Sequence, residues 1–391
     1  MIAAGNMWRT DRAQLIALAG AGVAVVAVLA NLGFLFRAGT SEVLGGLAHH
    51  AFVLGLMLIL TSGSRTVSLG TLAIFWLIGV WGVFGLAYLL ESQLASLLGT
   101  DIDGEFVPIW LSPLVEEPLK LAPVAIFLLL AARSGYRHPS MSDGLLLGFM
   151  VGAGVSFHED AHVGEILVSG DGWSAARPWS LIFPTISPVG NYFALNHALW
   201  AALSGLSIGA AVMLRQWRWA WPIALAGPLL AFTNHLMANH FTTTAFGTSF
   251  LLRRVSGEGV PWFYDTIRDL TIGGRLPMLL LIAAAVAVVV VEWGMLRWVD
   301  KRDRMFPPLS RVHVFRLVTQ STSRAGAAQL LAAEQYTRLR RSVYFAGWRA
   351  KRSGGIPVVT DVDVARLTSL LARTGASSAG DALASPTPAH V

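Results

Sequence analysis

The stretch Val107-Pro-Ile-Trp-Leu-Ser-Pro-Leu-Val-Glu116-Glu117-Pro118-Leu-Lys120 carries two adjacent carboxylates and a lysine, and the chain then stays apolar to about Ala132. Such a run is long enough to cross a bilayer, which takes about 20 predominantly apolar residues. A charged side chain at membrane depth costs about 2.5–3.5 kcal/mol or more, so it is usually paired, faces a cavity and serves a function. The stretch therefore predicts a membrane helix that contributes to a functional site.

The composition indicates a membrane protein, because 54% of the residues are hydrophobic and only 13% are charged, whereas a soluble chain averages about 25% charged. The absence of cysteine excludes disulfides, thiolate metal sites and a cysteine nucleophile. The pattern predicts an all-α fold, a polytopic integral membrane helical bundle of about eight transmembrane helices. The predicted spans are roughly 13–36, 43–63, 67–91, 107–132, 144–166, 187–213, 219–241 and 276–298.

The charges between the spans predict the orientation, because basic residues concentrate in cytoplasmic loops. Loops with arginines alternate with an acidic loop, which predicts a multi-pass protein of the cell (inner or cytoplasmic) membrane with both termini cytoplasmic. The basic loops carry Arg65, Arg133, Arg137, Arg215 and Arg218, and the predicted acidic loop holds Glu91, Asp101, Asp103 and Glu105.

The chain divides into a predicted membrane-embedded domain, 1–299, with a motif-bearing core at about 107–241, and a predicted basic cytoplasmic tail, 300–391. Residues 301–352 hold twelve basic residues against Asp303 and Glu334. This charge favours a tail that lies against anionic lipid or packs beneath the membrane domain, and no nucleic-acid partner is expected. From about 374 the tail is rich in Ala, Ser, Pro and Gly, which predicts disorder.

Polar residues of four consecutive predicted spans share one depth, counted at 1.5 Å per residue. All of them fall in the outer half of the bilayer, and Asn239 lies one turn from a histidine on the same helix face. Random polar substitutions would not produce this agreement, so we expect the four helices to line a common site. Its candidate residues are Glu116, Glu117, Glu159, His197, His235 and Asn239.

Carboxylates beside histidines can perform two kinds of hydrolytic chemistry. They can hold a divalent metal through N and O ligands and leave one position for water. Alternatively, one carboxylate acts directly as general base on a water while imidazole and amide groups stabilise the oxyanion. Lys120 follows Glu116 by four residues and Glu117 by three, so on a helix it can neutralise one of them.

Four motifs resemble those of PrsW-type intramembrane proteases, within the CAAX-protease and bacteriocin-processing superfamily. They occur in order, one in each of four consecutive spans, and cover about Leu111 to Asn239. Two positions depart from the family pattern, Val155 in place of an aromatic residue and Asp160 in place of asparagine. The motifs are Glu116-Glu117-Pro-Leu-Lys120, the glycine-rich 152–160 with Glu159, Asn196-His197 with Gly205, and Asn234-His235-Leu-Met-Ala-Asn239.

The resemblance implies an intramembrane endopeptidase that hydrolyses a peptide bond in or beside the membrane segment of another membrane protein, such as a single-span anti-sigma factor. It implies that the acidic pair, Glu159 and the two histidines form the site, with Glu116 or Glu117 as the general base or a ligand. Two roles stay open for Asn239, an oxyanion donor or a helix–helix hydrogen bond. A Zn²⁺ site and a metal-independent, glutamate-activated water both remain open. The implied metal ligands are Glu117, Glu159, His197 and His235.

Three alternatives compete with this interpretation. The residues His158-Glu159-Asp160-Ala161-His162 form an HExxH pattern, in which two histidines on one helix face bind zinc, as in site-2-type proteases. A proton- or ion-coupled transporter would also bury carboxylates and histidines, although it should show inverted repeats, and none is visible. A non-catalytic membrane scaffold, whose basic tail recruits a partner, would tolerate neutral replacement of the site.

Overall fold

A computed structural model describes ten parts of the chain, and helices dominate all of the longer ones. Within these parts there is no β-strand, so the prediction of an all-α fold is confirmed for the described residues. The described parts are residues 40–100, 106–133, 138–167, 192–245, 261–302, 306, 309, 317–321, 323–352 and 361–374.

The helices agree closely with the hydropathy pattern, because each long apolar stretch satisfies its backbone within one helix. Their bounds are α1 Thr40–Leu60, α2 Leu69–Leu97, α3 Ser112–Arg133, α4 Met141–Leu167, α5 His197–Met213, α6 Ala220–Ala245, α7 Pro261–Leu270, α8 Arg275–Arg302, α9 Arg324–Arg352 and α10 Asp361–Arg373. Helix α2 contains a π-helical segment, Ile78–Val83, and a second π-helical turn, Val107–Leu111, leads into α3.

Seven of the eight predicted spans coincide with helices, and the first, 13–36, lies outside the described residues. By length and composition, two of the described helical stretches can cross a bilayer, namely Leu69–Leu97 and Trp262–Val299. The eight-span arrangement and its orientation therefore stay predictions.

Two predicted boundaries are wrong. The sixth span was placed at 187–213, but α5 begins only at His197, and residues 192–196 are non-helical and largely buried. The third span was ended at Glu91, and this residue was assigned to an acidic loop. Glu91 instead lies inside α2, with 8% of its surface exposed. Both errors matter for the site, because they change which polar groups reach it.

Helices α4 and α5 pack so closely that only small residues fit between them. Gly144, Gly148 and Gly152 recur every four residues along one face of α4. A Cβ on Gly148 would lie 2.0 Å from the carbonyl oxygen of Ala201, and one on Gly152 would lie 2.1 Å from that of His197. Small residues allow this backbone approach between membrane helices, and here the approach fixes His197 against α4.

The tail helix α9 packs against the membrane helices, as one of the two alternatives for this segment predicted. Its Tyr344 and Phe345 join an apolar cluster with Met141, Met213 and Met295 from α4, α5 and α8. Polar contacts add to this packing, since Arg341 Nη1 donates to the carbonyl oxygen of Arg65 at 3.1 Å. Residues 375–391, for which disorder is predicted, lie outside the described residues.

Candidate functional site

Four helices bring charged and imidazole side chains together in the interior of the bundle. Helix α3 supplies Glu116, Glu117 and Lys120, α4 supplies Glu159, α5 supplies His197, and α6 supplies His235. We call these six residues the Glu/His cluster. Five of the six residues predicted for the site are in it, and Asn239 lies beside it. What roles they play stays a prediction.

Lys120 lies at the centre of the Glu/His cluster and is only 1% exposed. Its Nζ lies 2.6 Å from Glu117 Oε1, 3.3 Å from Glu116 Oε2 and 2.7 Å from His197 Nδ1. These contacts follow from helical spacing, since Lys120 is three and four residues after the two glutamates. The ammonium therefore contacts both carboxylates, not one of them.

Each histidine of the cluster is hydrogen-bonded to a carboxylate. His197 Nε2 lies 2.5 Å from Glu159 Oε2, and His235 Nδ1 lies 2.9 Å from Glu117 Oε1. Because a lysine ammonium only donates, His197 Nδ1 accepts from Lys120 and Nε2 carries the proton donated to Glu159. In the same way, His235 donates through Nδ1 when Glu117 is ionised.

Trp200 packs against both imidazole rings of the cluster. Its ring stacks on that of His235 with centroids 4.1 Å apart, and it meets the His197 ring edge-on at 4.9 Å. The Lys120 ammonium lies 5.5 Å from the indole centroid, within the range of a cation–π interaction. This packing limits the rotation of both imidazoles and of the ammonium.

Three members of the cluster could hold a metal ion. Glu116, His197 and His235 each offer a ligand atom, and these atoms all lie within 4.8 Å of one another. The predicted ligand set was Glu117, Glu159, His197 and His235. Glu159 and Glu117 contact the two rings, as carboxylates that support a ligating histidine do. The ligand set stays a prediction.

The carboxylate of Glu117 is only partly satisfied. Its Oε1 accepts from both Lys120 and His235, whereas its Oε2 is buried and has no hydrogen-bond partner among the described residues. Burying an unpaired acceptor costs about 1–3 kcal/mol, and more for a charged group. The unpaired oxygen of Glu117 keeps the capacity to accept a further hydrogen bond.

Sequence reasoning missed how His197 is positioned. It is the first residue of α5, and Asn196 caps the helix by accepting from Leu199 N–H at 3.0 Å. Asn234 supports the preceding non-helical segment, since its Oδ1 accepts from Leu195 N–H and Trp200 Nε1, both at 2.8 Å. Irregular backbone at membrane depth is tolerated only when protein groups satisfy it in this way. The only sequence signal was the asparagine directly before His235.

Asn239 forms a helix–helix hydrogen bond, donating from Nδ2 to the carbonyl oxygen of Pro108 at 2.6 Å. The π-helical turn explains why that carbonyl is available. The Ser112 N–H donates to Val107, and Pro113 has no N–H with which to reach Pro108. Asn239 thus stabilises the turn that leads into the acidic pair.

The HExxH alternative finds no support in the described part of the site. His158 packs against α2, where its Nδ1 lies 2.8 Å from the carbonyl oxygen of Val80 and its ring stacks on Phe84 at 4.1 Å. Adjacent helical residues point about 100° apart, so Glu159 faces His197 while His158 faces away. The side chain of His162 lies outside the described residues.

A comparison with protein-family models matches residues 68–255 to the PrsW family intramembrane metalloproteases. This region is similar to the PrsW family. It comprises just under half of the chain and contains α2 to α6 with the entire Glu/His cluster. The resemblance drawn from the four motifs is therefore confirmed, and with it the assignment to a family of membrane-resident proteases.

No curated protein and no solved structure matches the chain. The PrsW family is named for metalloproteases, which agrees with the donor set of Glu116, His197 and His235. An intramembrane protease acts on membrane proteins in a lipid environment, so these are the substrate class and the surroundings of this family.

Proposed function

We propose that this protein is an intramembrane endopeptidase that hydrolyses a peptide bond in or next to the membrane segment of another membrane protein. The observation that carries the proposal is the Glu/His cluster itself, with its three ligand atoms within 4.8 Å inside a PrsW family region. The proposed substrate is a single-span regulator such as an anti-sigma factor. The proposed location is the cell membrane, with multiple passes and both termini cytoplasmic.

Glu116 is the proposed group that contacts the attacking water or the metal. Its side chain is 14% exposed, whereas that of Glu117 is 5% exposed. Glu117 already accepts from Lys120 and His235 through one oxygen, so it holds His235 in one ring orientation and tautomer. This division assigns different tasks to the two adjacent carboxylates.

The remaining groups of the cluster orient the reaction. Glu159 holds the His197 ring through Nε2, and with 36% of its side chain exposed it can also accept a proton from water. His235 presents its other ring nitrogen to the site and is kept in place by Trp200. Asn239, predicted as an oxyanion donor, is proposed here to support the turn before Glu116 through Pro108.

The residues fit a zinc ion in donor type. Zinc prefers imidazole nitrogen and carboxylate oxygen with an open position for water, whose pKa it lowers to about 7. Glu116, His197 and His235 would hold it, and Glu117 and Glu159 already accept from the rings as supporting carboxylates do. The family name favours this version.

Lys120 favours the version without a metal. Its ammonium lies between two acceptors, Glu116 Oε2 and His197 Nδ1, which are themselves 3.3 Å apart. It thus occupies a position in which a cation satisfies both acceptors. In this version a glutamate alone activates the water, while Lys120 stays in contact with both neighbouring carboxylates.

The experiment is to purify the protein with Glu116→Gln, Glu117→Gln, His197→Ala and His235→Ala variants, and to co-express each with single-span membrane proteins. Cleavage is followed by mass spectrometry of the products, and bound zinc is measured on the purified protein. We expect cleavage by the wild type and loss of about 10²–10⁴-fold in the variants.

Asp269→Asn is the matched control, because this carboxylate is 74% exposed on α7 and forms an ion pair with neighbouring Arg268. It should cleave at the wild-type rate. Zinc in stoichiometric amount, lost together with activity on chelation, would select the metal version, and cleavage by zinc-free protein would select the other. Cleavage by all four site variants at the wild-type rate would refute the proposed site.

A further inference from the structure

Glu91 of α2 is a buried carboxyl group beside the Glu/His cluster, and nothing in the four motifs includes it. It is 8% exposed and lies among apolar side chains of the α2–α3 contact, which include Ala87, Ala95 and Val107. Its Oε2 accepts from the Ser112 hydroxyl at 3.0 Å, and its Oε1 is buried without a hydrogen-bond partner among the described residues.

The position of Ser112 connects Glu91 with the site. Ser112 precedes Glu116 by four residues, so the two side chains lie on one face of α3, about 6 Å apart along its axis. Glu91 is close enough to Glu116, Glu159 and Lys120 for their charges to interact. Glu91 thus lies near the ion-paired Lys120, which contacts Glu116 and Glu117.

The turn that carries Ser112 lacks regular helical hydrogen bonds. The Ser112 N–H donates to Val107 in the π-helical pattern, and the nearby Pro108 carbonyl depends on Asn239. The Ser112 hydroxyl is therefore one of few polar ties that hold the start of α3 against its neighbours. A shift there would be transmitted directly to Glu116, one turn later.

A buried carboxyl group has a high desolvation cost for a residue that would only connect two helices. Burying a polar group costs free energy unless it is hydrogen-bonded, and Glu91 Oε1 has no hydrogen-bond partner among the described residues. A carboxyl at this place is better explained by what it does to the turn before Glu116 than by its contribution to stability.

We propose that Glu91 is a positioning residue of the proteolytic site, which acts through Ser112 to fix the position of Glu116. The inference rests on the proposed function for its kinetic consequence only. Glu91 acts indirectly in this proposal, because its Oε1 is buried and its Oε2 accepts from Ser112.

The test compares Glu91→Leu, Glu91→Gln, Ser112→Ala and the double variant Glu91→Leu/Ser112→Ala. Displacing a catalytic group by about 1 Å can lower the rate by about 10²-fold. We expect kcat to fall by up to that factor in Glu91→Leu and Ser112→Ala, with KM little changed. Glu91→Gln keeps an oxygen that accepts from Ser112 and should retain most of the activity.

The double variant separates positioning from independent damage. If the two residues act as one unit, it should be no slower than the slower single variant, because the effects are not additive. The matched control is Glu292→Leu, which also removes a buried carboxyl group. Glu292 lies in α8, is fully buried and accepts a hydrogen bond from the backbone N–H of Ser142 in α4. It should leave the kcat of the folded protein unchanged.

A second measurement does not depend on catalysis. Carbodiimide coupling of an amine to Glu116, quantified by mass spectrometry, reports the position and accessibility of that carboxylate. Glu91→Leu and Ser112→Ala should change this labelling, while Glu91→Gln and Glu292→Leu should not. Unchanged labelling, or additive losses of kcat in the double variant, would overturn the proposal. An inactive wild type would refute the proposed function, and the labelling would still decide about Glu91.

Discussion

Two polar clusters on α4 differ in how their carboxylates are hydrogen-bonded. Asp143 in the first turn accepts from Thr66 N–H at 2.8 Å, Thr66 Oγ1 at 2.5 Å, Val67 N–H at 3.0 Å and Ser140 N–H at 2.8 Å. Glu159, sixteen residues later and about 24 Å away along the helix, contacts His197 in a cluster built of side chains alone.

The difference separates a structural carboxylate from one that we propose to be reactive. Three backbone N–H groups and a hydroxyl saturate Asp143, which thereby ties the loop after α1 to the start of α4. The Glu/His cluster instead crowds acids around Lys120 and leaves Glu117 Oε2 without a partner among the described residues. Partly satisfied polar networks cost stability, and that cost is expected where chemistry occurs.

The largest effect is expected from Lys120→Met, which removes the central cation. Breaking a buried ion pair by removing one partner costs about 3–5 kcal/mol, because the remaining charge is left uncompensated. Thermal unfolding in detergent or lipid should reveal this loss. Adding Glu117→Gln should restore part of the stability, since it removes one uncompensated carboxylate. No loss in Lys120→Met would mean that the cluster is not held together by this charge.

Gly152→Ala should disturb the Glu/His cluster without changing any of its residues. The new Cβ would lie 2.1 Å from the His197 carbonyl oxygen, so α5 must move away from α4. A shift of about 1 Å can lower the rate by about 10²-fold, and cleavage assays would measure it. Gly55→Ala is the control, because nothing lies within 4 Å of its added Cβ. Equal activity of both variants would contradict the close packing of α4 and α5.

Asp143→Asn should affect stability and leave chemistry intact. The amide can replace only part of the acceptor capacity, so one buried donor is left unsatisfied at a cost of about 1–3 kcal/mol. The unfolding temperature should fall, whereas kcat/KM per folded molecule should stay at the wild-type value. A selective loss of kcat/KM would show that the two clusters do not differ as described.

The smallest effect is expected from His138, which lies in the loop before α4. Burial and the neighbouring Arg349 and Arg215 lower the pKa of His138 to about 4. The unfolded state takes up a proton near pH 6.5, while the folded state stays neutral, so stability should fall from about pH 6.5 towards pH 4.

This loss of stability should appear at the contact with α9. There His138 Nδ1 lies 2.8 Å from Arg349 Nη1, and the backbone N–H of His138 donates to Ser342 Oγ at 2.9 Å. The opening free energy of α9, obtained from hydrogen exchange at pH 7.5 and pH 5, would measure it. His138→Gln should reduce the pH dependence of this free energy. An equal fall between the two pH values in that variant would assign the effect to other groups.

The sequence predicted most helices and the meeting of the polar residues, because long apolar runs and helical spacing are local properties. Glu116, Glu117, Glu159, His197 and His235 come together as depth counting proposed, although His197 begins its helix instead of lying ten residues inside it. The non-helical segment before His197 depends on Asn234, which is about 40 residues later in sequence. No local pattern reveals such a contact.

The burial of Glu91 was unpredictable for a related reason. A glutamate after an apolar run resembles the end of a span, and only the packing of α2 against α3 encloses it. The choice between the two adjacent glutamates likewise needed tertiary contacts, because helical spacing allows Lys120 to reach either one. Lys120 contacts both glutamates, and His235 forms a hydrogen bond with Glu117.

The most direct test of the Glu/His cluster as a hydrolytic site is cleavage of a single-span substrate in ¹⁸O-labelled water. Purified wild-type protein in lipid should incorporate one ¹⁸O atom into the new carboxyl terminus, and Glu116→Gln should do so at least about 10²-fold more slowly. Asp269→Asn should match the wild type. Incorporation by Glu116→Gln at the wild-type rate would contradict the account.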